Sequence, residues 1–225
     1  MSEAMTVETI VEAYWRLQGY WTKLRFPFQK ERGGWSDIDI LAYHPEEKSL
    51  VISESKVRGS KRDIYAYTKY SREEYGTIFE YDKEKKKENY LAFLRNVKCI
   101  CSNKTVFRNF RGMVNSLIVQ LVSNYFIDND VLQEVKKDIF KRIEDSIPAG
   151  VKTEIRLDTT LEIICEIIKL EGKSPQGRRY GHPVIDIARE LNRYLHPDIR
   201  YTGKEKKMIE GIKGKLRKTF LDSLR

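Results

Sequence analysis

Ser36-Asp37-Ile38-Asp39-Ile40-Leu41-Ala42 and Leu50-Val51-Ile52-Ser53-Glu54-Ser55-Lys56-Val57 decide how this chain is read. Both runs are short, apolar and β-branched, as strands are, yet they carry acids and a lysine, which is expensive among apolar neighbours unless those charges bind something. Strand side chains repeat every two residues. Glu54 and Lys56 therefore share a face in the row begun by Leu50 and Ile52, and Asp37 pairs with Asp39 in the same way. With the two strands as neighbours, two carboxylates and an ammonium converge on one spot, an arrangement suited to a divalent metal and a phosphodiester. The expected chemistry is metal-dependent hydrolysis of nucleic acid.

An E-x-K triplet alone carries no weight in a chain that is 33% charged, because Glu46-x-Lys48, Glu84-x-Lys86, Glu134-x-Lys136, Glu171-x-Lys173 and Glu205-x-Lys207 all fit it. Those five fall in charged loops or on helix surfaces. Glu54-x-Lys56 instead ends an apolar strand that follows an acid-bearing strand and an acid-bearing helix. That helix is read from Val7, Ile10, Val11, Tyr14 and Leu17 at helical spacing, with Gly19 as its stop. Glu8 and Glu12 flank its apolar stripe one turn apart, and Glu8 is the first choice to lean toward the acidic strands.

In this order and context the residues resemble the PD-(D/E)XK nucleases, which include many restriction endonucleases and the archaeal Holliday-junction resolvases. That family places a glutamate on an N-terminal helix, an aspartate on a strand and a (D/E)-x-K on the next strand, and the matching residues here are Glu8, Asp39, Glu54 and Lys56. Glu8 stands about three turns before Gly19-Tyr20, as in the resolvase-like branch. The literal Pro-Asp is replaced by Ile38-Asp39. The likeness spans Thr6 to Arg58 and implies a restriction-endonuclease-like αβββαβ core, an α/β fold with a central mixed sheet flanked by helices. It implies Mg²⁺ or Mn²⁺ held by Asp39, Glu54 and the Ser55 carbonyl, with Glu8 completing or adding a site and Lys56 orienting the attacking water or stabilising phosphoryl charge.

The rest of the chain is read around that core. Tyr20 to Phe26 is a first strand ended by Pro27, followed by a loop with Lys30, Arg32, Gly33 and Gly34; His44 is a turn residue rather than a ligand. The basic stretch Arg58-Gly59-Ser60-Lys61-Arg62 leaves the strand at the catalytic end, and with Lys30 and Arg32 it is the expected phosphate-binding surface. Tyr65, Tyr67, Tyr70 and Tyr75 are read as packing residues before stacking ones, and residues 84–107 as largely helical. Leu117 to Val122 is a buried strand, Val131 to Ile143 a helix and Thr153 to Leu157 a last strand. The expected division is a nuclease-like α/β domain over residues 1–157 and a helical C-terminal region over residues 158–225, ending in a lysine-rich helix from Lys204 to Lys218.

A surplus of 42 basic over 33 acidic residues, net +9, favours an anionic partner, and DNA is the leading one. Three cysteines without a C-x-x-C pair point away from a disulfide framework or zinc site and toward a reducing, cytoplasmic setting. No apolar run approaches the ~20 residues of a spanning helix, and the start lacks the pattern of a signal peptide, so no membrane partner is expected. A homodimer stays open. The competing readings are a non-catalytic nucleic-acid-binding protein on a nuclease-like fold and a structural subunit of a DNA-processing assembly, neither of which needs the four site residues.

Overall fold

The computed structural model describes residues 3–30, 33–56, 96–101, 110, 113–123, 129–173, 181–195, 210, 211, 214 and 215. Its elements run α1 (Glu3–Leu17), β1 (Trp21–Gln29), β2 (Trp35–His44), β3 (Ser49–Lys56), a helical stretch at 96–101, β4 (Ser116–Ser123), α2 (Asn129–Ile143), β5 (Lys152–Thr159), α3 (Thr160–Lys173) and α4 (Pro183–Leu195). The chain divides into two compact units, Met1–Ile163 and Ile164–Arg225. Among the described residues no helix is long and apolar enough to cross a membrane.

One five-stranded mixed sheet, in the order β1-β2-β3-β4-β5, organises the first unit. The first three strands form an antiparallel meander, and β3, β4 and β5 run parallel. Strand β1 lies at an edge, so Pro27 can sit inside it without removing a ladder hydrogen bond from a central strand, and β1 runs past that proline to Gln29. Helix α1 ends where the sequence places its stop. Gly19 adopts φ 89°, Tyr20 donates its N–H to the Trp15 carbonyl at 3.1 Å, and Gly19 donates to the Arg16 carbonyl at 3.1 Å, which closes the last carbonyls in a Schellman arrangement.

The two sheet faces are told apart by rows of residues in register. Leu41, Ile52, Val119 and Ile155 form one row, and all four belong to the main apolar cluster, which also takes in Val97 and Ile100 of the 96–101 helix and Ile139 and Ile143 of α2. The neighbouring row, Ile40, Ser53, Gln120 and Arg156, faces α1. There the Trp15 indole N–H donates to Gln120 Oε1 at 2.9 Å, and Arg156 donates to the Tyr14 hydroxyl at 2.8 Å. Gln120 is fully buried, and its amide donates in turn to Asp158 Oδ2 at 2.6 Å. Asp158 also holds Arg156, at 3.2 Å. Burial works against the Arg156 charge, but Asp158 and Tyr14 outweigh it and raise its pKa. A buried polar network thus fastens α1 across β4 and β5.

Helix α3 opens on a capping box that the sequence carries as Thr159-x-x-Glu162: the Thr159 N–H donates to the Glu162 carboxylate at 2.7 Å, and the Glu162 N–H donates back to the Thr159 hydroxyl at 3.1 Å. In the second unit, Arg189 of α4 meets the buried Glu171 of α3 at 2.6 Å.

Candidate functional site

Strict alternation along β2 would put Asp37, Asp39 and Leu41 in one row, but the strand breaks that pattern. Ile38 joins the same cluster as Leu41 and Tyr43, whereas Ile40 and Ala42 are buried outside it. The phase therefore changes next to Asp39. The partner strand marks the same place: the β1–β2 ladder pairs Leu24 with Ile40 and Phe26 with Ile38 but skips Arg25 and Asp39, and Arg25 has φ 48°. A non-glycine residue in the left-handed region is strained backbone, tolerated where surrounding contacts hold it. Here the contact is an ion pair. Arg25 donates from Nη2 to Glu8 Oε1 at 2.9 Å and from Nε to Glu8 Oε2 at 3.2 Å, so both oxygens of the helix acid are engaged.

This turn carries Asp37 and Asp39 to the α1 side of the sheet, where Glu8 waits. Glu8 is only 4% exposed, and burial pushes its carboxyl above the ordinary value, helped by the negative charge of Asp39 and, more weakly, Asp37. The Arg25 guanidinium works the other way without winning. Arg25 itself is pushed up, first by its hydrogen bonds to Glu8, with Asp37 and Asp39 adding to the effect. Among the described residues, three carboxyl groups against one guanidinium leave a local surplus of acids.

Asp39 is fixed from β3. Its Oδ2 accepts the backbone N–H of Ser55 at 2.7 Å and the Ser55 hydroxyl at 2.9 Å. Both bonds land on one oxygen, and Oδ1 accepts none among the described residues. The adjacent Glu54 is also buried, one residue past the last β2–β3 pair, Ile40 with Ser53. Its row, however, continues through Leu121 and Leu157, on the cluster face away from α1. Glu8, Asp37, Asp39 and Ser55 are thus brought together, while Glu54 keeps the row of Leu50 and Ile52 expected for it. Among the described residues no group of three or more His, Cys, Asp or Glu is placed to hold a metal ion.

Lys56 closes β3 in register with Ser123. Its side chain lies outside the described residues, as do Arg32, Arg58, Lys61 and Arg62, the tyrosines at 65–75 and, apart from Lys215, the C-terminal lysines named above. Lys30 is exposed at the hairpin turn, where its N–H donates to the Gly34 carbonyl and its carbonyl accepts from Gly33, each at 3.0 Å. Gly33 and Gly34 have φ 78° and 83° with open space around them, so the turn's backbone, rather than a close approach, calls for glycine. His44 accepts the Glu47 N–H at 3.1 Å and packs edge-on against Tyr20, the part of a turn residue.

Glu12, the second choice on α1, belongs to a closed structural set. Its Oε1 takes the Thr22 hydroxyl at 2.9 Å and Arg16 at 3.0 Å. The residue the sequence reading missed is Arg25. It sits mid-strand in an unremarkable Lys-Leu-Arg-Phe run, and only its backbone conformation and the fold bring it to Glu8. Comparison with protein-family models, curated proteins and solved structures finds no match.

Proposed function

We propose that the chain is a metal-dependent nuclease that hydrolyses DNA phosphodiester bonds, with Asp39 at the centre of its site. The observation that carries this reading is the meeting of Asp37 and Asp39 from β2 with the buried Glu8 from α1, beside a β3 residue that orients Asp39. Nothing in ordinary packing asks for three acids there. The donor set fits a hard divalent cation: Mg²⁺ takes one or two carboxylates and completes its shell with water and phosphate oxygens, so a three-ligand protein cage is not required. Asp39, with Glu8 and the Ser55 carbonyl, would hold it, and Glu54 would join them only by turning from the cluster face. When bound, Mg²⁺ or Mn²⁺ supplies a Lewis acid toward a phosphoryl oxygen and a source of hydroxide near neutral pH.

The protein's own groups do the positioning. Ser55 locks one Asp39 oxygen with both its N–H and its hydroxyl. Arg25, half exposed, balances the acids and is the group that would give way as a cation enters. Lys56 follows Glu54 on the same strand and would stabilise charge on the phosphoryl oxygens or orient the water. A second reading, a nucleic-acid-binding module without catalysis, draws support from the full engagement of Glu8 by Arg25 and from the Glu54 row facing away from Asp39. Incubating the protein with supercoiled, linear, single-stranded and four-way-junction DNA in Mg²⁺, Mn²⁺ or Ca²⁺ separates the two. The nuclease cuts at least one substrate with Mg²⁺ or Mn²⁺ and scarcely any with Ca²⁺, whereas binding without cutting in every metal establishes the module.

A further inference from the structure

Two tryptophans stand out on the described surface, Trp21 at 70% and Trp35 at 71% exposure. Both lie on the β1–β2 hairpin, but at opposite ends and on opposite faces. At the far end Thr22 reaches Glu12 of α1, so its neighbour Trp21, in register with Tyr43 of the main cluster, faces the other way. At the near end Ile38 points into the main cluster, which sends Trp35, Asp37 and Asp39 together to the α1 side. Trp35 precedes Asp39 by four residues, about 13 Å along an extended strand. The exposed Lys30 and the half-exposed Arg25 lie on the adjoining turn and strand.

A single exposed apolar residue is unexceptional. An indole of this exposure, on the face and strand that carry the acids and within a few nucleotides' reach of Asp39, has a more specific use. We infer that Trp35 is a stacking platform for an unpaired base, so that the nucleic acid taken by this site has a single-stranded stretch beside the phosphate at Asp39. Stacking uses the uncharged π face of the ring and is therefore compatible with Asp37 next to it, where a phosphate contact would be repelled. The exposed Lys30 on the adjoining turn supplies positive charge for the backbone. The inference deepens the nuclease reading and rests on it for the position of the phosphate, but not for the stacking itself.

Intrinsic fluorescence tests it without any cleavage. Trp15 is buried and bonded to Gln120, which leaves Trp21 and Trp35 as the solvent-facing emitters among the three tryptophans. In metal-free buffer, oligothymidylate quenches the Trp21→Phe variant, which retains Trp35, and leaves the Trp35→Phe variant almost unchanged. Trp35→Ala weakens oligothymidylate binding about tenfold, the loss of one stacked base, and Trp35→Phe restores most of it. A blunt duplex of equal length binds wild type and Trp35→Ala alike. Equal quenching of the two Phe variants, no quenching of either, or a parallel loss of duplex and single-strand binding in Trp35→Ala overturns the inference. Quenching at Trp35 in a protein that cuts nothing sinks the nuclease reading and keeps the platform; cutting without Trp35 quenching does the reverse.

Discussion

Replacing Gln120 tests the network that fastens α1, and with it Glu8 two turns upstream of Trp15. Gln120 is fully buried between a donor that must be accepted, the Trp15 indole N–H at 2.9 Å, and an acceptor that must be satisfied, Asp158 Oδ2 at 2.6 Å. Gln120→Leu keeps the volume and satisfies neither. An orphaned buried N–H costs about 1–3 kcal/mol, and a hydrogen bond to a charged acceptor contributes about 1.5–3 kcal/mol, so the variant should lose roughly 3–5 kcal/mol. For a chain of this size that lowers Tm by about 6–20 °C. Gln120→Glu separates the two bonds. It still accepts from Trp15, but it sets a second carboxylate against Asp158, and the pair must share a proton. The folded state then binds more protons than the unfolded one, so the stability of this variant is present below the ordinary carboxylate range and is lost as pH rises through the raised value. Differential scanning calorimetry should find Gln120→Glu near wild type at about pH 4 and well below it at about pH 7, with Gln120→Leu low at both. A Gln120→Leu melt within 1–2 °C of wild type, about 0.5 kcal/mol, or a pH-independent Gln120→Glu, would show that Gln120 does not bridge Trp15 and Asp158.

Three further outcomes follow from the site and its surroundings. Because burial and Asp39 raise the Glu8 carboxyl, its contribution to stability is complete below the ordinary carboxylate value and declines as pH rises through the raised one; Glu8→Gln should flatten that decline in melts across the acid-to-neutral range, and an unchanged slope would contradict it. Ser55→Ala removes one of the two bonds to Asp39 Oδ2 and should cost about 1–2 kcal/mol in urea denaturation while the N–H bond persists. Gly19→Ala meets both a φ of 89° and a Cβ position 3.0 Å from His44 Nε2, so a loss of about 1–2 kcal/mol is expected, and a neutral result would show that the helix end is not held as described.

Much of the scaffold is legible in local sequence, because its signals are local. The β-branched runs at Ile38 to Ala42, Leu50 to Ile52 and Leu117 to Val122 become β2, β3 and β4, and the α1 stripe with its Gly19 stop becomes a helix ended at Leu17. Pro27 misleads only in length, since a proline at an edge does not end a strand. The site is half legible. Strand periodicity predicts the partnership of Asp37 with Asp39 and of Glu54 with its row, but not the change of phase at Asp39, which depends on Arg25 adopting φ 48° in the facing strand. Nor does it show that Arg25 would bind Glu8, or that Trp15 would meet Gln120 across 105 residues of chain, because such pairings are chosen by the tertiary fold and leave no periodic trace. Glu8 and Glu12 look alike on a helical wheel; the ion pair with Arg16 and the Thr22 hydroxyl assign Glu12 to packing.

Whether the Asp39 site is a nuclease centre is measured by metal-dependent DNA cleavage by wild type beside Asp39→Asn, Glu54→Ala and Lys56→Ala, each checked for a cooperative melt. Asparagine is the right replacement at Asp39 because its amide oxygen can still accept from Ser55 while the carboxylate charge is gone. Wild type should cut with Mg²⁺ or Mn²⁺ and scarcely with Ca²⁺, and none of the three folded variants should cut. Cleavage that survives Asp39→Asn, or a folded wild type that cuts no form of DNA with either metal, would contradict the nuclease reading.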